Sequence, residues 1–266
     1  MITVALTTFN RSDIVGRAVR SALNFGATVG GKVVLVDDGS TDGTASMIAR
    51  EFHDVLKDGT LTYVENKTNL GVTAAKNMAF AQAAPGWILF LDSDDELITQ
   101  AASAVQKVLR EHDKNALIFF RCIDETGTFV GTRFDALQQL SLRRYCAYSS
   151  YGEALIAVNK VVAPGDPFDA DLRGYEGVGC ARLIKNHGPA LLATVIARCY
   201  NRSRSDRLSN ARNMLKRADY LARGHLRYLS LCGDEIDWGM RLVLRIKALL
   251  YFSAGMLARV VWSRNA

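Results

Sequence analysis

Apolar runs recur through the first half of this chain at a nearly constant interval, and that period limits the fold more than any other feature. ITVALTT begins at residue 2, KVVLVDD at 32, LTYVEN at 61, WILFLDSDD at 87 and ALIFFR at 116, so successive starts lie 30, 29, 26 and 29 residues apart. Between them are helical patterns: Ile14, Val15, Ala18, Val19, Ala22 and Leu23, then Ala45 to Phe52, Ala74 to Ala83 and Ala101 to Leu109. Strands and helices alternating in this way are repeated βαβ units, which predict an α/β fold with a mostly parallel central sheet and helices on both faces. At 266 residues the chain is one large domain, or one domain with an appendage.

In such sheets ligands gather at the carboxyl ends of the strands. The first strand ends in Thr7-Thr8-Phe9-Asn10-Arg11 and the second in Asp37-Asp38-Gly39-Ser40-Thr41-Asp42. The third ends in Glu65-Asn66, with Asn69-Leu70-Gly71 opening the next helix, and the fourth in Asp92-Ser93-Asp94-Asp95-Glu96. Crowded carboxylates raise one another's pKa, and a fold tolerates them more readily when a cation sits among them. The alternative is a solvated turn in which Asp95 or Glu96 caps a helix. Capping accounts easily for one polar strand end and poorly for four. Ser40-Thr41-Asp42 keeps the structural reading of an N-cap for the run at Gly43 to Phe52. Neither G-x-G-x-x-G nor a P-loop is present.

Composition excludes other classes. The five cysteines (122, 146, 180, 199 and 232) are never spaced C-x-x-C, and the four histidines are equally dispersed. This argues against zinc and a disulfide framework and for a reducing compartment. Met1 to Leu6 enters a strand-like run without a basic lead, so no signal peptide is expected. Beyond residue 125 the period breaks into short strand-like pieces (128–130, 154–158), turns, and a longer run from Ala190 to Tyr200; from Leu208 the pattern is helical. Residues 198 to 266 hold 14 Lys and Arg against 5 Asp and Glu, a balance of +9, whereas the remainder carries 19 against 22.

The segments VALTTFNR, VVLVDDGSTDGT, NLGVTAAKNMAF and ILFLDSDDELI resemble, in order and spacing, those of family 2 glycosyltransferases with the GT-A fold. The resemblance covers residues 1 to about 110 closely and 155 to 210 more loosely. It implies a GT-A domain over 1–207, with a nucleotide-sugar-binding half (1–110) and an acceptor-binding half (111–207), followed by a basic helical region (208–266). It implies an inverting transfer from a nucleoside-diphosphate sugar to a hydroxyl of a glycan or lipid-linked saccharide, in bacterial surface polysaccharide biosynthesis. Carried over residue by residue, Asp94 is the metal ligand, Asp92 a ribose-side or water-mediated contact, and Asp95 a second ligand. The cofactor is then Mn²⁺ or Mg²⁺, hard cations that take oxygen ligands and neutralise charge on a leaving diphosphate. Thr7, Thr8 and Phe9 line the base pocket, and Asp38 accepts from a base imide, favouring uracil or thymine. Lys76 stands where the family commonly has Arg, facing the nucleotide. Glu176, in GYEGVGCARL, is the expected general base, with Asp171 the runner-up; Gly177 stands where the family often has a second acid. Arg204 and Arg207 fall where a mobile loop closes over the diphosphate, a solvated basic loop being the equal alternative. The Q-x-x-R-W pattern of processive synthases is missing, which favours single-sugar addition.

The stretch WGMRLVLRIKALLYFSAGMLARVVW has an uncharged core, Ala248 to Ala258, too short to span a bilayer. Arg241 and Arg245 share a helical face, while Leu242, Leu249, Tyr251, Phe252, Leu257 and Trp262 supply apolar surface. Such a helix suits anionic headgroups; packing on the domain, or on a second subunit in an oligomer, is the other reading. With the resemblance, this implies a cytoplasmic enzyme peripheral on the inner face of the membrane. No motif supports nucleic-acid binding. Two rival functions remain. A phosphotransferase of haloacid dehalogenase type would use Asp92 as nucleophile but leaves the other strand ends unexplained. A non-catalytic nucleotide-sugar binder would have lost its base at Gly177.

Overall fold

The computed structural model describes residues 1–147, 152–201 and 211–263. The periodic half reads β1 (Ile2–Thr8), α1 (Val15–Val29), β2 (Lys32–Asp37), α2 (Thr44–Glu51), α3 (His53–Lys57), β3 (Leu61–Glu65), α4 (Val72–Gln82), β4 (Trp87–Asp92), β5 (Glu96–Leu97) and α5 (Ala102–Glu111). The second half runs β6 (Leu117–Asp124), β7 (Phe129–Val130), β8 (Gln138–Leu140), α6 (Leu142–Ala147), β9 (Leu155–Asn159), α7 (Glu176–His187) and β10 (Ala190–Tyr200). It closes with α8 (Ala211–Lys216), α9 (Ala218–Cys232) and α10 (Trp238–Ser263).

The described strands form one sheet in the order β3-β2-β1-β4-β9-β6-β10-β5, with β7 on β6 and β8 on β10. β3, β2, β1 and β4 are parallel neighbours. β9 then enters antiparallel between β4 and β6, so the expected fifth parallel strand is displaced by one position. β1 is buried along its whole length, which is why it reads as an unbroken apolar run. Val15 and Val19 of α1 with Val105 and Leu109 of α5 cover one face of the sheet. Ala75, Ala79 and Phe80 of α4 with Leu183 and Ile184 of α7 cover the other.

The C-terminal helices are joined to this body. Helix α9 lies against α7 and α10 against α9, where Leu244 and Ala248 are buried. The outward side of α10 leaves Trp238, Leu242, Ile246, Leu249, Leu250 and Met256 exposed. Among the described residues no helix is long and apolar enough to cross a membrane. The cysteine spacing predicts no disulfide; the structure instead joins Cys146, in α6, to Cys232, ending α9. These residues lie 86 positions apart and meet because α6 and α9 both pack on α7, an adjacency that spacing does not carry.

Candidate active site

Strand register sets the first level of the site. Thr7 stands opposite Asp92 and Thr8 opposite Asp37, while Asp37 also pairs with Glu65, so four strand ends meet on one edge. The β2 end is a dense hydrogen-bonded turn. Asp37 accepts from the Ser40 amide at 2.9 Å and from the Tyr63 hydroxyl at 2.8 Å. Asp38 is 3% exposed; its Oδ1 accepts from Asn66 Nδ2 and the Leu70 amide, both at 2.9 Å, and its Oδ2 from the Gly71 amide at 2.7 Å. Of about four lone-pair positions on a carboxylate, three are thus committed to protein donors. Gly39, at φ +82°, has no alternative, since a Cβ there would lie 2.8 Å from the Thr68 carbonyl carbon.

The neighbouring β1 end is stitched to this turn. Thr41 N donates to Asn10 Oδ1, Asn10 N to Ser40 Oγ and Ser12 N to Asp42 Oδ2. Asp42 Oδ1 also accepts from the Thr44 amide and hydroxyl, but the N-cap position of α2 is Gly43, which has no side chain to cap with, so the expected Ser40-Thr41-Asp42 cap falls short of the helix by one residue. Between the two strand ends, Thr8 Oγ1 is buried and has no hydrogen-bond partner among the described residues, and Phe9 stands 42% exposed. An unpartnered hydroxyl beside an open aromatic face suits a flat, polar-edged ligand.

Each carboxylate after β4 has its own basic partner, and this is how the fold tolerates the cluster. Lys76 Nζ, from α4, lies 2.9 Å from Asp92 Oδ1 and 2.9 Å from Glu176 Oε1. Arg11 Nη1 lies 3.1 Å from Asp94 Oδ2 and donates to Ser93 Oγ. Arg198, buried in β10, reaches Asp95 Oδ2 at 3.2 Å, out of hydrogen-bond alignment, and Asp92 Oδ2 at 3.9 Å. Enclosure works against the charge on Asp92, but Lys76, then Arg198 and Arg11, outweigh it and hold its pKa below the usual range. Asp95 is 1% exposed; burial, opposed by Arg198 and reinforced by Asp92 and Asp94, pushes its pKa up to about 7. Burial also opposes the charge on Lys76, yet Asp92 and Glu176 together raise its pKa.

Glu176 opens α7 and borders a cavity of about 390 Å³ lined also by Tyr175, Gly177, Met214, Arg217 and Leu221. Gly177 has open space: a Cβ there would meet only the Tyr145 hydroxyl, at 3.7 Å. Asp171 is turned to α9, where Arg227 grips it at 2.7 and 2.9 Å; the hydrogen bonds from Arg227 outweigh burial and lower its pKa. Asp95 is likewise engaged, accepting from the Asn201 amide at 2.9 Å. Among the described residues no three His, Cys, Asp or Glu side chains converge closely enough to hold a metal ion unaided. Arg204 and Arg207 lie outside the described residues.

Thr7, Thr8, Phe9, Asp38, Lys76, Asp92, Asp94 and Glu176 therefore meet at one edge, while Asp95 faces inward and Asp171 outward. The sequence reading passed over Arg11 and Arg198. Arg198 left a signal, a guanidinium inside the strand-like run ATVIARCY. The Asn77 side-chain amide clamps the Phe168 backbone, donating Nδ2 to its carbonyl and accepting from its amide at Oδ1.

Residues 3–155 match the family model for glycosyl transferase family 2. The GalNAc(5)-diNAcBac-PP-undecaprenol beta-1,3-glucosyltransferase of Campylobacter jejuni is 25% identical over 192 residues, covering 69% of this chain and 60% of that protein. Among solved structures, S. aureus TarS 1-349 in complex with UDP-GlcNAc superposes with a TM-score of 0.66 at 16% identity, covering 94% of this chain and 72% of that one. The mannosyltransferase PcManGT from Pyrobaculum calidifontis, in complex with GDP-Man and Mn2+, gives 0.63 at 17% identity, covering 97% and 75%. At these identities the likenesses show the fold, which is the GT-A architecture that the motif order implies.

Proposed function

The chain belongs to glycosyl transferase family 2, and from that premise we propose that it is an inverting glycosyltransferase moving one sugar from a nucleoside-diphosphate sugar to a hydroxyl of a saccharide or lipid-linked acceptor. The observation that carries the reading is the single ammonium of Lys76 joining Asp92, on the donor side, to Glu176, on the cavity side. One cation thus fixes a donor-side carboxylate and a candidate acceptor-side base relative to each other, the kind of pre-set placement from which a direct displacement gains.

In this reading the base stacks on Phe9 and bonds Thr8 Oγ1, with Thr7 beside them. The remaining acceptor position on Asp38 Oδ2 takes an imide N–H, which favours uridine or thymidine donors. The glycan activity named for the Campylobacter jejuni relative and the UDP-GlcNAc in the TarS complex support that class of donor and acceptor; the GDP-Man of PcManGT marks donor base as a property of the site and not of the fold. Lys76 donates to Glu176 Oε1 and fixes the carboxylate, which accepts the proton of the attacking hydroxyl. Lys76 and Arg11 also offer positive charge to the departing diphosphate.

The donor set after β4 is all oxygen and suits Mn²⁺ or Mg²⁺. Asp94 and Asp92 would hold the cation, with Asp95 committed elsewhere, and nucleotide phosphates would complete the shell. Such an ion would stabilise charge on the leaving group. PcManGT, which carries Mn2+, supports the assignment by fold.

The exposed ridge on α10, flanked by Arg241 and Arg245 on a helix without Asp or Glu, supports attachment to an anionic membrane surface, on the cytoplasmic side. A second copy of the chain is the competing occupant. A dehalogenase-type phosphotransferase leaves the Lys76–Glu176 contact and the β2 turn without a role. The test is nucleotide release from a panel of nucleotide sugars with saccharide and lipid-linked acceptors. Acceptor-dependent release lost in Glu176→Gln upholds the reading, and no release with any donor rejects it.

A further inference from the structure

Helix α7 begins at Glu176 without any side-chain hydrogen bond capping its first turn. Its start is therefore set by whatever holds the residues before it. Those residues are unusual: Arg173 has φ +33° and Gly174 φ +86°, a left-handed pair that persists where surroundings over-determine it.

The surroundings are the start of α4, where Arg173 donates to the Asn69 side chain and carbonyl and Thr73 to the Ala170 carbonyl, and, more extensively, one face of α9. Arg217, just before the helix, donates Nη2 to the carbonyls of Arg173 and Gly174. Tyr220 offers its ring to the Arg173 guanidinium at 5.5 Å. At Gly224 the bare backbone receives the Tyr175 ring, and a Cβ there would lie 2.6 Å from a ring carbon. His225 Nδ1 is 2.8 Å from the Tyr175 hydroxyl, with the two rings edge to face. Arg227 closes the series on Asp171, with two bonds, and on Asp169 at 3.0 Å. Positions 217, 220, 224 and 227 are spaced three, four and three apart, which is one stripe of a helix. Five successive grips run along the segment that ends in Glu176.

We propose that this face of α9 is the positioning element of the transfer reaction, holding the 169–175 segment so that Glu176 meets Lys76 and the acceptor cavity at a fixed angle. The inference deepens the assignment of Glu176 as base and rests on it. Asp171, on this account, is a positioning residue and not an alternative base. Helices α9 and α10 then serve the catalytic body, in line with the reading in which the C-terminal region packs on the domain. Helix α10 takes part at one remove, because Tyr251 stacks on His225 at 5.6 Å.

The experiment uses the full chain with Gly224→Ala, Arg227→Met, Arg227→Lys, Tyr175→Ala and the double variant Tyr175→Ala/Gly224→Ala. Three quantities are read: turnover, UDP affinity by calorimetry, and amide exchange over residues 169–178 by mass spectrometry. Gly224→Ala and Arg227→Met should speed exchange in that segment and lower turnover about tenfold or more, while UDP affinity stays within about twofold. Arg227→Lys should recover part of the loss, and Gly224→Ala should add nothing once Tyr175 is already Ala. Arg227 lies at the surface, so its variants test the idea even if Gly224→Ala fails to fold. Unchanged turnover in Arg227→Met, or UDP affinity falling in step with turnover, would overturn the proposal. If Glu176→Gln itself proves harmless, the base assignment falls, and the exchange data alone decide whether α9 holds the segment.

Discussion

Replacing Lys76 by Met should destabilise the protein and disable it, and the two effects can be separated by pH. The ammonium sits 2.9 Å from both Asp92 and Glu176, and its side chain is 7% exposed. At an effective dielectric near 20 each contact is worth about 4 kcal/mol, much of it offset by burying the charge. Removing one partner of a buried pair typically costs ~3–5 kcal/mol. Because the Asp92 side chain is 40% exposed and that of Glu176 22%, water replaces part of the lost interaction, and the lower end, about 3 kcal/mol, is expected. For a chain of this size that corresponds to a fall in Tm of roughly 6–12 °C. The pKa of Asp92 is depressed below 3.8, so its contribution is present above that value and is lost as pH falls through the folded pKa. The pKa of Lys76 is raised above 10.5, so its contribution is full below that value and is lost as pH rises through the folded pKa. Wild type keeps both between about pH 4 and pH 10. In Lys76→Met the Asp92 pKa rises, so acidification relieves the variant. The Tm gap, measured by calorimetry, should be widest near neutrality and narrow toward about pH 4. Turnover at neutral pH should drop by about a hundredfold, with Lys76→Arg retaining much of it because a guanidinium can bridge two carboxylates. A Tm unchanged by the substitution, or a gap that does not vary with pH, would refute the reasoning.

The other expectations concern the remaining parts of the site. Glu176→Gln should leave UDP affinity nearly intact and lower turnover by ~10²–10⁴-fold, whereas Gly177→Asp should fold normally, given the open space at its Cβ; kinetics and thermal unfolding check both. Asp94→Ala and an excess of chelator should each abolish transfer, and full activity in chelator would remove the metal from the scheme. Calorimetry should find uridine or thymidine diphosphate bound more tightly than the guanosine and adenosine forms, equal binding counting against the roles given to Thr8 and Asp38. Leu242→Glu/Leu249→Glu, on the exposed ridge of α10, should keep the fold and nucleotide binding while abolishing co-sedimentation with anionic vesicles; unchanged co-sedimentation would reassign the ridge.

The half of the fold built from βαβ units was legible because its signals are local. An unbroken apolar run such as Trp87 to Leu91 marks a strand buried on both faces, and the interval between runs forces parallel connections. The same logic found the site edge, because in such sheets the chain direction alone brings strand ends together. Beyond residue 125 the connections no longer repeat. The insertion of β9 between β4 and β6 follows from antiparallel pairing that no period announces.

Side-chain roles divide along the same line. Residues carried by strand ends, such as Thr8, Asp38 and Asp92, could be placed from sequence, because register fixes where they stand. What tertiary structure decided is which charges meet. Lys76 reaches Glu176 across 100 positions, and Asp95 is turned inward to Asn201 across 106. Arg11, Lys76 and Arg198 come from three separate elements to neutralise one acidic turn, and α9 grips the segment before Glu176 from more than 40 residues downstream. Local sequence specifies backbone propensity and the side of an element that is buried; the partner of a charged side chain depends on how distant elements pack, and that is settled only when the chain has closed on itself.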